Sequence, residues 1–442
     1  MALVHQDSCE CVKSELDLFQ LPATQKSIES GSWIHYHPIA PLTDGSSIEF
    51  VVPGSSGDEY IDPAHTLLAL QVKLTVPGPA AGAQAPDVPE IGPINNWAHS
   101  LFSQIDISLN QKTITSPTHT YPYRAYLETL LGYDKNAKES HLTTRLWYKD
   151  TPGKMDSRND ENQGYATRAN LLRGGRTIDM ITNLHCDLFN QEKFLLNGVE
   201  MRVKLIRSKA EFHLMGPDNQ APTCQIVGAT LVVRKCKINP SILLAHTRAL
   251  EAASAKYPIT RVDCKTVTIN SGLRSKIVDS LYLGQLPKRV LVSFVENTTF
   301  NGRFSENPFN FKHFDVNFLS LYVDGVQVPS QPLCPDYTSP LSPQFVSAYH
   351  TLFSGTGIHH KDEGNAITRD DFNQGYTVYA FDLTPDLSSH TGHWNLQKSG
   401  CMRLEVRFSV DLPKTVNLLV YAEFDSVIEI DKYRNVQTDY SS

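Results

Sequence analysis

The chain is 442 residues long, 40% hydrophobic and 9% aromatic, which supplies apolar material for two sizeable cores and excludes disorder over most of its length. Its 40 basic and 47 acidic residues leave a formal charge of −7, which excludes the overall basic field of a general nucleic-acid coat. No run of about 18 apolar residues is present, so no membrane-spanning helix is expected, and the opening MALVHQDSCECVKSELDLF lacks the basic and apolar blocks of a secretory leader, so unmodified secretion is not expected either.

Residues 1–29 read as an arm ahead of the patterned chain. Cys9 and Cys11 in it belong to eight cysteines scattered without CxxC pairs, a usage that points to a reducing compartment and offers no zinc knuckle. Short runs rich in β-branched and aromatic residues, separated by turn residues, then predict strands over 48–52, 67–76, 103–109, 176–188, 200–206 and 225–238. The run Met201-Arg202-Val203-Lys204-Leu205 alternates strictly, as a strand with one face on a core and one toward water does. At Asn239 the pattern changes: a capping residue, Pro240 and an Ala-rich stretch predict a helix over 240–256, ahead of Pro258. At 1.5 Å per residue it spans about 25 Å, enough to link two domains, with a surface helix inside one domain as the other reading. Further strands are predicted over 260–269, 289–295, 315–323, 376–382, 402–410 and 416–430, with alternation again in Arg403-Leu404-Glu405-Val406-Arg407-Phe408.

The two halves echo one another. A strand and turn lead to YRAYLETLLGYD (123–134) in the first and to VSAYHTLFSGTG (346–357) in the second, each with an Ala-Tyr pair and a glycine where a short helix would end. Gly198-Val199-Glu200-Met201-Arg202 likewise parallels Gly400-Cys401-Met402-Arg403-Leu404, and each half closes on a long apolar strand. A duplicated all-β domain follows, and strand number and spacing suit two eight-stranded jelly rolls, a double jelly roll with short helices and a linking helix. The division is 1–29 arm, 30–238 first jelly roll, 239–257 linking helix, 258–432 second jelly roll and 433–442 tail. The connections 78–93, 133–164 and 329–344 hold Pro, Gly and charge and are expected to project as towers, with the low-complexity stretch 79–86 mobile.

Chemistry is sparse. A bicupin metal site needs HxH followed closely by an acid, but after His35-Tyr36-His37 stand Pro41 and Leu42. His359-His360 are adjacent and would point to opposite faces of a strand, and His390 with His393 lacks a third ligand. Ser354-Gly355-Thr356-Gly357 lacks the Lys-Ser/Thr of a phosphate loop, and no GxSxG or GxGxxG occurs. No catalytic, cofactor or metal residue is assigned. The basic turn Arg173-Gly174-Gly175-Arg176 could face a nucleic acid or an acidic neighbour, with an inter-subunit salt bridge favoured. The segment 300–314 holds Phe300, Phe304, Phe309, Phe311 and Phe314 among Asn, Gly and Pro, a loop whose rings pack under their own domain or on a neighbouring subunit. These five rings, Arg173 and Arg176 are the candidate subunit-interface residues.

The strings SGSWIHYHPIAPL (30–42), PSILLAHTRALEAASAKYPI (240–259), LGQLPKRVLVSFV (283–295), NPFNFKHFDVNFLSLYVDGVQVPS (307–330), AYHTLFSGTGI (348–358), GYTVYAFDLTPDLS (375–388) and VNLLVYAEFDSVIEIDKYRNV (416–436) resemble hexon-like major capsid proteins of polintons (Maverick elements) and animal adintoviruses. The similarity runs over nearly all of 30–436. It implies a viral capsomer that catalyses nothing and binds no cofactor, three copies forming a pseudo-hexagonal homotrimer that tiles an icosahedral shell. It further implies as partners a penton-type single jelly-roll vertex protein and minor capsid proteins, without sequence-specific nucleic-acid binding. The location implied is the virion capsid, with synthesis in the host cytoplasm and assembly in the nucleus. The chain is shorter than many such proteins, so its towers are expected to be modest. A soluble jelly-roll carbohydrate-binding or adaptor protein is the alternative, with a bicupin enzyme third.

Overall fold

The computed structural model describes residues 5–19, 21–43, 45–55, 57–76, 88–220, 222–339 and 343–440; the stretch 79–86 lies outside them. Eight strands make the first sandwich: β1 (Ile28–Tyr36), β2 (Ile48–Val52), β3 (Glu59–Thr75), β4 (Phe102–Leu109), β5 (Lys112–Thr113), β6 (Thr177–Asn183), β7 (Met201–Arg207) and β8 (Thr223–Ile238). They pair as two sheets of order β1-β8-β3-β6 and β2-β7-β4-β5, antiparallel throughout. Eight more follow: β9 (Ala255–Ile269), β10 (Ser275–Gln285), β11 (Arg289–Glu296), β12 (Val316–Val323), β13 (Val326–Leu333), β14 (Val378–Asp382), β15 (Ser399–Phe408) and β16 (Val416–Ile430). Their sheets run β9-β16-β11-β14 and β10-β15-β12-β13, the same order strand for strand, which is the jelly-roll connectivity built twice.

Alternation sets the faces. In β7, Met201, Val203 and Leu205 are buried and Lys204 is exposed. In β15 the charged face is less open than the pattern predicts, because Glu405 is buried between Arg403 (3.3 Å) and Arg407 (2.6 Å). The central strand β16 is buried along nearly its whole length on both faces, an apolar one in its own sandwich and a mixed one, with Leu419, Tyr421 and Glu423, that meets the first half.

Four of these strands escaped the sequence pattern, the two-residue β5 among them. β1 and β10 are sheet edges rich in Ser and Gly or broken by a register shift, and β13 contains Pro329. β3 also begins eight residues earlier than predicted, carrying Asp62-Pro63 through the register shift opposite Val232 and Arg234. The predicted strand 176–188 stops at Asn183, and Asp187 begins a short 3-10 turn that turns its carboxylate to Arg124.

Helices follow the fifth strand of each sandwich, α1 (Tyr121–Gly132) in the first and α4 (Val346–Ser354) in the second, with α2 (Gln163–Leu171) and α3 (Pro240–Ala252) between them. The linking helix α3 joins β8 to β9 and is capped by Asn239, whose side chain accepts from the Ser241 amide at 3.0 Å. It ends at Ala252, short of the predicted 256, because Ala255–Pro258 pair with Val427–Ile430; Pro258 is tolerated there since β9 is an edge strand.

The two halves do not keep separate cores. Tyr123, Tyr126, Leu127 and Trp147 of the first half belong to the core of the second, and Tyr257, Ile259, Ile428 and Ile430 of the second belong to that of the first. The C-terminal residues strap the halves further: Val436–Thr438 pair with β16, Arg434 donates to the Asn197 carbonyl (2.7 Å), and the Tyr440 hydroxyl donates to the Ile114 carbonyl (3.0 Å).

The two glycines that look equivalent as helix ends are not. A Cβ on Gly355 would lie 2.7 Å from the backbone of Ala380 in β14, whereas one on Gly132 meets nothing within 4 Å. Gly355→Ala is therefore expected to lower stability by about 1–3 kcal/mol through overpacking. Gly132→Ala should leave it unchanged or raise it by about 0.5–1 kcal/mol. Denaturant melts of the two variants check the contrast, and equal effects would refute it.

Candidate functional site

The densest chemistry in the chain lies where the two sandwiches meet, and α1 organises it. Pro122 in its first turn and the apolar run to Leu131 seat the helix with one flank on each half. Tyr126 stacks on Phe309 with ring centroids 4.0 Å apart and planes 8° from parallel, and Tyr123 stacks on Phe300 at 5.5 Å. Phe311 meets Tyr126 edge-on at 5.8 Å.

This placement corrects the candidate subunit-interface assignment for the aromatic loop. Phe309 and Phe311 are 0% exposed and Phe304 is 8% exposed within a single chain, so these rings are core and do not face a neighbour. Phe304 joins the core of the first sandwich, its carbonyl accepting from the Gly216 amide at 2.8 Å, while Phe300 and Phe314 are half-buried against the other core. The loop closes so tightly on the first half because Gly302, at φ 102°, lies against Glu211 and Phe212. Arg173 and Arg176 are exposed in the turn between α2 and β6, where Gly174 and Gly175 both take positive φ.

Charged groups line the same junction. Arg124 bridges Glu128 (2.8 Å) and Asp187 (2.7 Å), and the Tyr421 hydroxyl of β16 approaches Glu128 at 3.3 Å and Glu423 at 2.9 Å. Glu423 in turn pairs with Arg289. Burial pulls the Glu128 carboxyl up, but Arg124 and His185 outweigh it and hold it down at about 2. Further along, Arg168 and Asp150, both 0% exposed, pair at 2.6 Å, and Asn307 from the second half donates to the other Asp150 oxygen at 3.0 Å. Lys149 reaches Asp371 at 2.5 Å. Lys138 donates to the carbonyls of Leu130 and Asn365, both at 2.6 Å, and burial lowers its ammonium to about 7. Sequence reasoning missed this network, although the Arg124–Glu128 spacing of four in a helix was a visible signal.

Three histidines are buried and neutral here. Burial pushes His99 well below 6.5, while its two nitrogens meet Tyr121 (2.9 Å) and Thr182 (2.8 Å) and its ring meets His185 edge-on. His213 is pushed down to about 3 by burial, and its Nδ1 accepts from the Trp97 indole at 3.2 Å, which a protonated ring could not do. His185 is also lowered by burial, which outweighs its contact with Glu128.

The remaining sequence candidates resolve as packing. Ser354-Gly355-Thr356-Gly357 ends α4, with Gly355 against Ala380 and Gly357 against the His390 ring. His359 and His360 sit in a turn with rings 3.9 Å apart, so they do not straddle a strand as expected. His393 meets Ser388 and Asp386, both at 3.1 Å, but both at Nε2; in an acyl-transfer triad nucleophile and acid bond opposite nitrogens. Among the described residues no group of three or more His, Cys, Asp or Glu side chains could hold a metal ion, and no helix is long and apolar enough to cross a membrane.

No family model matches the chain. An uncharacterized protein of Caenorhabditis elegans is 25% identical over 438 residues, covering 95% of this chain and 99% of its own. Among solved structures, a chain of the Sputnik virophage particle is similar at a TM-score of 0.67 and 11% identity, covering 100% of this chain and 95% of its own. The mavirus major capsid protein is similar at 0.56 and 13% identity, covering 99% and 97%. The Faustovirus major capsid protein matches at 0.56 and 8%, covering 93% and 92%.

Two predictions follow from the junction. Phe309→Ala should cost about 3–5 kcal/mol, and in a double-mutant cycle with Tyr126→Ala the pair should couple by about 0.5–1.5 kcal/mol, measured by urea unfolding. Simple additivity would show that the stack does not join the halves. In the unfolded chain His99 and His213 titrate near 6.5, while folding keeps them neutral, so their contribution is complete above that value and is lost as pH falls below it. Glu128 adds a loss as pH falls from its ordinary 4.5 toward about 2. Unfolding midpoints taken from pH 7.5 to 4.5 should therefore drop steadily, and a flat profile would contradict the buried neutral rings. With these features the described chain from β1 to β16 is a double jelly roll.

Proposed function

We propose that the chain is a hexon-like viral major capsid protein of the polinton or adintovirus type, a structural protein without catalytic activity. The observation that carries this reading is the duplicated strand order: β1-β8-β3-β6 with β2-β7-β4-β5, repeated as β9-β16-β11-β14 with β10-β15-β12-β13. Two like sandwiches locked in one chain give a homotrimer six similar edges, so that one gene product meets its neighbours in near-equivalent contacts around a hexagonal lattice. End-to-end likeness to a chain of the Sputnik virophage particle and to the mavirus and Faustovirus major capsid proteins supports the reading, as does a full-length relative in an animal.

The lobes of the capsomer are residues 30–238 and 258–432, joined by 239–257, with 1–29 as an arm and 433–442 as a tail. Three copies form the building block, a penton-type single jelly-roll protein closes the five-fold vertices, and minor capsid proteins join the shell. The protein is made in the host cytoplasm, assembles in the nucleus and ends in the virion. Because Phe309 and Phe311 are core, the contacts between subunits fall on other surfaces, with Arg173 and Arg176 retained as rim candidates for salt bridges. Such rim pairs are worth about 0–1 kcal/mol each, so the stable contact must be apolar and wide, above about 2,000 Å² for an obligate trimer.

The native mass tests this directly. Sedimentation of the purified chain should give close to three times 49.4 kDa, unchanged on dilution, with a pseudo-hexagonal outline in projection images. A stable monomer at all concentrations would count against the capsomer.

A further inference from the structure

Two features lie unpartnered at one end of the molecule. Ahead of β1 the described residues of the N-terminal arm form no strand, and Val12, Leu16, Leu18, Phe19 and Leu21 are between 69% and 96% exposed. Beside the root of this arm, an apolar cleft of about 730 Å³ opens between the linking helix α3 and the base of the first sandwich. Its walls include Ile28, Tyr60, Leu196, Ile242, Leu250 and Tyr257. The helix covers it without sealing it, since no residue of α3 is buried.

The chain leaves the cleft at a fixed point. The Gln25 side chain donates to and accepts from the backbone of Ile28 (3.0 and 2.8 Å), and the Asn239 amide donates to the Ser27 carbonyl at 3.0 Å. Beyond that clamp the arm carries acid around its apolar residues: Asp7, Glu10, Glu15 and Asp17 against Lys13 give −4 + 1 = −3 over 5–19. Lys193 and Lys256 outnumber Glu192 in the cleft lining. Leu16, Leu18 and Phe19 with flanking carboxylates thus complement an apolar slot with lysines at its edge.

We propose that the arm of one copy docks through Leu16, Leu18 and Phe19 into the cleft beneath α3 of a second copy. The inference rests on the self-assembly reading above. Within one chain both surfaces remain open, and every copy carries one arm and one cleft, so a closed ring of copies satisfies all of them at once.

The test uses the full chain with photoreactive benzoylphenylalanine in place of Phe19. Irradiation should give covalent dimers on denaturing gels, with cross-linked peptides mapping to 192–196 or 242–257. Ala249→Asp, at an exposed position of α3 in the cleft wall, should lower the dimer yield about tenfold, as a carboxylate facing the acidic arm does, with its melting temperature unchanged. Monomer-sized cross-links to the same cleft would make the contact intramolecular, and dimers joined elsewhere, or no cross-link, would remove the cleft as the site; each outcome overturns the proposal. The native mass separates this from the capsomer reading: a trimer without cleft cross-links keeps the capsomer and loses the exchange.

Discussion

The buried contact of α1 with the second half is the constraint on which the rest of the molecule depends. A sandwich presents two sheet faces, and in the first half the outer face of the sheet is solvated, with Gln71 and Lys73 of β3 and Asp179 and Ile181 of β6 exposed. β16 cannot be so placed, because Leu419 and Tyr421 stand on the face opposite Leu418 and Val420 and all four are buried. The first sandwich has to cover it. Once it does, Glu423, Arg289, Glu128 and Arg124 leave water together, and each must find its partner in that one arrangement. Sliding or rocking one lobe on the other would take Asn307 from Asp150, Lys149 from Asp371 and Lys138 from the Asn365 carbonyl, leaving buried polar groups unpaired at about 1–3 kcal/mol each, so such motion is strongly opposed.

That rigidity gives the duplication its use. Two sandwiches on a flexible tether would present edges at variable angles, whereas a shared core fixes the angle in every copy. The lobes share strand order but not surface: the first has an open outer sheet and the second a covered one. Six edges in a trimer would therefore be similar without being identical, and contacts around it would be near-equivalent.

The strands were legible where one face was apolar and the ladder regular, as in β2, β7 and β16, and the duplication was legible from the Ala-Tyr helices. What the sequence concealed were edges and partners. β1 is Ser- and Gly-rich because it pairs on one side only, and β10 is broken by a shift between Val278 and Tyr282. The aromatic loop was recognisable as an anchor, yet its residues carry no sign of whether Tyr126 or another subunit receives Phe309. Aromatic anchors in a domain junction and in a subunit interface obey the same chemistry. The His359-His360 pair failed for a related reason, since opposite facing holds for a strand and the segment is a turn.

The two ends of the chain are treated oppositely, and this divides stability from assembly. Residues 434–440 are tied down three ways, by a strand pairing, by Arg434 on Asn197 and by Tyr440 on Ile114, all within the chain. They stabilise the very contact between lobes that α1 creates. Among the described residues, 5–19 of the N-terminal arm make only local hydrogen bonds while carrying large apolar side chains in water, among them Phe19 at 96% exposure. Exposing an aromatic ring so fully forgoes about 1.5–3 kcal/mol of burial, and five such side chains together forgo several-fold more. That energy is available only to a surface outside the arm, and the open apolar cleft at its root is a surface of matching chemistry that every other copy also presents.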